Sequence, residues 1–177
     1  RGQYSTGIRL IEIILESSGI MSKSLKGLVL NWIGSFRISM GDNEQAKKYL
    51  EESLDLRKEI GDKIGIAESL LSLGNVTNSL GDFELAKNYY EDSLDNYKKI
   101  DSKSGIAAIS LSLGNVALSQ GDYGMAKNYN EESLFIFKEI GHKYGIALSI
   151  NNLGDVSLFQ GDYELAKKYL KEEIHTK

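Results

Sequence analysis

One spacing constrains this chain more than any other property: a 40-residue period. Gly-Asp stands at Gly41-Asp42, Gly81-Asp82, Gly121-Asp122 and Gly161-Asp162. Five residues after each glycine comes Ala46, Ala86, Ala126 or Ala166, and eight after it Tyr49, Tyr89, Tyr129 or Tyr169. The other half of the unit returns with Gly34, Gly74, Gly114 and Gly154. A fixed period of this length is the signature of stacked supersecondary units, each too small to bury its own hydrophobic face. The chain of 177 residues is therefore expected to be a one-dimensional stack rather than a single closed core.

Each unit reads as two helices. In the clearest copy the first runs over about Lys63–Leu80, with Ile66, Leu70, Leu73 and Leu80 at helical spacing. Gly81 can take the left-handed conformation that closes it, and Asp82 is placed to cap a second helix running to about Ile100. Gly61-Asp62, Asp101-Ser102 and Gly141-His142 read as the turns between units, again with turn-and-cap chemistry. The glycine series Gly65, Gly105 and Gly145 predicts a close backbone approach by the preceding helix or a slight bend, and Gly74 with Ala86 predicts a narrow crossing inside each hairpin. Lys87/Glu91, Lys47/Glu51 and Lys127/Glu131 are spaced for weak pairing on a solvated face. The units are expected at residues 22–60, 61–100, 101–140 and 141–177, after a degenerate, strongly apolar leading helix over residues 1–21.

These residues resemble the tetratricopeptide repeat, whose signature sets an aromatic, Leu-Gly, a small or aromatic residue, then Ala with an aromatic four later. The second copy here reads Leu70, Leu73-Gly74, Thr77, Ala86 and Tyr90, and the third Ser110, Leu113-Gly114, Ala117, Ala126 and Asn130. The fourth gives Ile150, Leu153-Gly154, Ser157, Ala166 and Leu170; the first gives Leu30, Ile33-Gly34, Arg37, Ala46 and Leu50. The closing proline is missing throughout, and the period exceeds the usual length of about 34, as in the long-helix variety of regulatory and signalling proteins. The resemblance implies an all-α, right-handed superhelical solenoid of antiparallel helix pairs. It also implies that the first helix of each pair lines a concave groove.

A stripe at i, i+3/i+4, i+7 along those first helices selects Leu28, Asn31, Ser35 and Ile38 in unit one and Glu68, Leu71, Asn75 and Asn78 in unit two. It selects Ala108, Leu111, Asn115 and Leu118 in unit three, and Leu148, Asn151, Asp155 and Leu158 in unit four, flanked by Trp32, Asn152 and Phe159. Asparagine can pair with both the N–H and C=O of a bound backbone. That Asn75 and Asn115 instead only bond neighbouring helices stays open. Family members that grip a carboxylate do so with basic inner-helix residues. Here units two to four offer only Lys63, Lys103 and Lys143, all in the first turn. The expected partner is thus a neutral or mildly basic amphipathic segment of another protein.

Other chemistries find little support. A net charge of −4 gives no general attraction to nucleic acid or anionic lipid. No apolar run is long enough for a membrane span. With no cysteine there is no thiol chemistry, which is compatible with a cytoplasmic location. His142 falls in a turn where sister units have Asp62 and Ser102, and His175 near the chain end, so neither predicts a base or metal ligand. No catalytic residue, metal or cofactor is expected. The chain, beginning at Arg1, is expected to belong to a longer protein. An architectural module stacking end to end through Leu165, Tyr169 and Ile174, or a peptide-sensing regulatory domain, are the alternatives to a scaffold.

Overall fold

A computed structural model describes Ile13 and residues 21–176, with side chains as far as Lys171. Apart from Ile13 and Met21, the expected leading helix lies outside the described residues, as do the side chains of Ile174 and His175. Eight helices follow one another among the described residues: α1 Lys23–Ser39, α2 Asn43–Glu59, α3 Lys63–Ser79 and α4 Phe83–Lys99 come first. They are followed by α5 Lys103–Ser119, α6 Tyr123–Glu139, α7 Lys143–Phe159 and α8 Tyr163–Thr176. All are 17 residues long except α8, which has 14. They form an all-α, right-handed superhelical solenoid of antiparallel pairs.

The regularity comes from the connections, where one residue serves two helices. At the α3–α4 turn the Gly81 N–H donates to the Asn78 carbonyl and the Asp82 N–H to the Thr77 carbonyl at 3.0 Å, closing α3. The Asp82 carboxylate then accepts the Leu85 N–H at 3.2 Å and opens α4. The left-handed position is glycine at Gly41, Gly61, Gly81, Gly121, Gly141 and Gly161, and Asp101 at φ 52° in the one exception. His142 joins the series as a cap, its Nδ1 accepting the Gly145 N–H at 3.0 Å.

Ala46, Ala86, Ala126 and Ala166 are all buried, as the narrow crossing requires. The reason for the facing glycines is more specific than a small–small contact. A Cβ on Gly74 would run into the Tyr90 ring, one on Gly34 into Leu50, and one on Gly114 into Asn130 Nδ2 at 2.6 Å. Each glycine makes room for the residue four beyond the alanine. Gly154 differs: the nearest atom to such a Cβ is Tyr169 Cβ at 3.8 Å. Gly65, Gly105 and Gly145 correct an expectation, because what approaches them from the preceding helix is a side chain rather than backbone. Arg57, Tyr97 and Phe137 lie across them. Between the pairs, α4 and α5 share a core of Ala86, Tyr90, Tyr97, Ile109, Leu113 and Val116. Outside, Lys87–Glu91 and Lys127–Glu131 stand 3.9 Å apart, the weak pairs that their spacing predicts.

Candidate functional site

Curvature follows from which helices touch. First helices of successive pairs meet one another, α1 with α3, α3 with α5 and α5 with α7, whereas successive second helices make no comparable contact. The row that sits closer together is the inner row, so α1, α3, α5 and α7 line the concave side.

The polar residues of this row are tied to the scaffold by identifiable hydrogen bonds. Asn75 is exposed, and its Oδ1 accepts the Tyr90 hydroxyl proton at 2.8 Å. Tyr90 is the residue that fills the space over Gly74, and burial drives its hydroxyl pKa far above the usual tyrosine value. Asn115 is also exposed, and its Oδ1 accepts from Asn152 Nδ2 at 2.6 Å, across from α7 to α5. The same Asn152 amide donates to Asn130 Oδ1 at 3.1 Å, and the fully buried Asn130 donates in turn to the Ala126 carbonyl at 2.7 Å. Each carboxamide oxygen is therefore engaged by a neighbouring helix. Alanine at either position would cost about 1 kcal/mol in lost hydrogen bonding, so truncating the pair would lower stability as well as any binding.

The remaining stripe residues fall into distinct environments. Asn31 is buried and presents almost no surface, while Trp32 beside it is 64% exposed. Leu71, Leu111, Leu118, Asn78 and Asn151 are half-buried, as is Asp155. The Asn31 and Asn78 Oδ1 atoms are buried without a partner. Phe159 is 63% exposed and stacks on Tyr123, ring centroids 5.9 Å apart and 9° from parallel. Ser39, Ser79 and Ser119, at the same place in the other units, instead donate to their own helix carbonyls.

Glu68 has a partner that sequence reading did not single out. Arg57 is 1% exposed, and its Nη1 lies 3.2 Å from Glu68 Oε2. That nitrogen also donates to the Gly65 carbonyl at 2.6 Å and the Ser69 hydroxyl at 3.2 Å, and Ser69 shares a proton with Ser53 at 3.0 Å. Arg57 Nε is buried without a partner. The neighbouring Tyr97 hydroxyl is pushed up to about 12, mainly by burial, with the negative charge of Glu68 adding to the rise and Arg57 opposing it. A charged residue in the last turn of a helix reads as solvated. The clue lay in its column, because Arg57, Tyr97 and Phe137 recur at 40-residue spacing and two of the three are aromatic.

Among the described residues no cluster of His, Asp and Glu is arranged to hold a metal, and no helix is long and apolar enough to cross a membrane.

The tetratricopeptide repeat model matches residues 26–99 and 105–174. The chain belongs to the tetratricopeptide repeat family. Stacked hairpins of this family are interaction scaffolds, and no sequence match is found among curated proteins. Its fold is shared with BtubC (BKLC) from P. vanneervenii at TM-score 0.84 and 19% identity, covering 98% of this chain and 74% of that one. A Rap protein complexed with competence and sporulation factor matches at TM-score 0.88 and 17% identity, over 96% of this chain and 47% of that one. The Rap conjugation gene regulator of plasmid pLS20, in complex with the Phr* peptide, matches at TM-score 0.84 and 18% identity, over 95% and 46%. This chain thus spans about half the length of those Rap proteins.

Proposed function

We propose that the concave row of α1, α3, α5 and α7 binds a peptide or helical segment of another protein. The observation that carries this reading is the pair of exposed asparagines, Asn75 and Asn115, whose oxygens are held by Tyr90 and Asn152. Anchored this way, each side chain keeps one orientation before a ligand arrives, which lowers the ordering cost of binding. Their amide N–H groups are suited to backbone carbonyls of an extended segment, and Leu71, Leu111 and Leu118 supply apolar contact between them. Two structural neighbours were solved with bound factor or peptide, which supports a segment of that kind as the ligand class. A regulatory or signalling role within a larger protein is the reading that those neighbours support, and a cytoplasmic location is part of the same proposal.

The test keeps the scaffold bonds and removes the donors. Asn75→Asp with Asn115→Asp retains an acceptor for Tyr90 and Asn152 but loses both amide nitrogens, and retention is compared at high salt so that the two added charges do not by themselves hold basic peptides. Displayed random nonapeptides retained by the wild-type protein should be lost from this variant by at least tenfold, with an unchanged circular-dichroism spectrum. Equal retention on both proteins rejects the groove.

A further inference from the structure

The joint between α2 and α3 carries a charged pair that the fold does not require. At the next joint the same two positions hold Tyr97 and Ala108, and at the third Phe137 and Leu148, so uncharged residues suffice to close this geometry twice in the same molecule. Taking a guanidinium out of water is costly, and such a pair can commonly be exchanged for hydrophobic residues without loss of stability. Packing therefore leaves the Arg57–Glu68 pair without a reason, and the location of Glu68 supplies one. Glu68 stands on the inner row with its side chain 44% exposed, at a place where sister units have Leu28, Ala108 and Leu148. Arg57 reaches it through Oε2, and a carboxylate offers two oxygens with about four lone-pair directions, so Oε1 remains for a donor from the groove. The charge of the row agrees: its stripe positions carry two acids, Glu68 and Asp155, and no lysine or arginine.

We propose that Glu68 is the specificity-determining residue of the groove, selecting an arginine or lysine side chain on the bound segment. The inference rests on the groove reading and adds to it the chemistry of one contact. Arg57 holds the carboxylate at the rim and partly cancels its charge. Selection therefore works through short-range hydrogen bonding to Oε1 rather than through a long-range field, and arginine, with several planar donors, is the favoured residue.

The experiment extends the nonapeptide selection to Glu68→Gln, which keeps the shape and loses the charge. Peptides retained by the wild type should be enriched in arginine or lysine at one position, and that enrichment should vanish on Glu68→Gln. For one such peptide, replacing its arginine with citrulline should weaken binding about tenfold to the wild type and less than twofold to Glu68→Gln. Three results would overturn the inference: no enrichment, enrichment that persists on Glu68→Gln, or an equal citrulline effect on both proteins. If those same peptides are still lost from Asn75→Asp/Asn115→Asp, the groove stands without this contact. If no peptide is retained by the wild type, both readings fall together.

Discussion

The three joints between helix pairs rest on the same glycine and differ in what covers it. Over Gly145 lies Phe137, with the His142 ring stacked 5.1 Å from it; over Gly105 lies Tyr97; over Gly65 lies Arg57, reaching on to Ser69 and Glu68. The first two covers are uncharged aromatic rings, and the third is a charge that has to be answered. The backbone is the same in each case, so the cover is a variable the fold leaves free. Where it departs from an aromatic ring, it also extends to the inner surface.

That contrast can be broken in a graded series. The largest effect belongs to Gly105→Ala: the added methyl enters the space of a buried ring, and even after the gain in helix propensity a net loss of about 2 kcal/mol is expected. Thermal unfolding should fall by several degrees. Gly65→Ala should cost a similar amount, because the added methyl would meet the capping Asp62 carboxylate as well as the buried, hydrogen-bonded Arg57 chain. Next comes alkaline pH. The Tyr97 hydroxyl titrates at about 12 in the folded protein, above its ordinary value of 10, so the folded state holds the proton longer than the unfolded chain. Stability is complete below pH 10 and declines as pH rises from 10 towards 12, by about 1–2 kcal/mol. Tyr97→Phe, which copies the third joint, should remove the share of that decline owed to Tyr97 and leave the share of Tyr90, whose buried hydroxyl holds its proton more tightly still.

Smaller still is Glu68→Ala, which leaves the Arg57 guanidinium without a counter-charge. Since Glu68 is itself half exposed, the loss is about 1 kcal/mol rather than the larger cost of a fully buried pair. Arg57→Tyr with Glu68→Ala, a copy of the second joint, should restore that loss or improve on the wild type by up to about 1 kcal/mol. A double variant less stable than Glu68→Ala alone would show that the charged joint is needed for folding after all. The smallest change is Asp101→Gly, at the one turn among the described residues where a non-glycine residue has positive φ. It should raise the urea midpoint, with a gain of about 0.5–1 kcal/mol.

Much of the architecture could be read from the sequence because it is written in local chemistry. Gly81-Asp82 marks both a helix end and a helix start without reference to anything distant, and the structure ends α3 at Ser79 and begins α4 at Phe83. The candidate site was legible only as a stripe. Whether Asn75 faces a ligand or a neighbour depends on the register between α3 and α4, which brings Tyr90 to its oxygen. Asn115 depends on the register between α5 and α7, 37 residues apart at the Asn152 contact. No periodicity within one helix carries that information. Asn31 shows the same limit from the other side, since helical spacing places it in the stripe while packing buries it. Arg57 was hidden because its charge suggested solvent, although its column pointed to the core.

The double duty of residues such as Asp82, whose amide ends one helix while its carboxylate begins the next, has a consequence for how such a chain can change. No connection contains a spare residue, so a single insertion there would uncouple the stop from the start and turn every later helix out of phase. A whole unit, by contrast, can be cut out or copied at Gly61 and Asp101 with both neighbours finding the same turn they had before. The inner surface is thereby free to lengthen or shorten only in fixed steps, like a measuring rod marked at one interval. The length of that surface is quantised by the same two atoms that hold each corner.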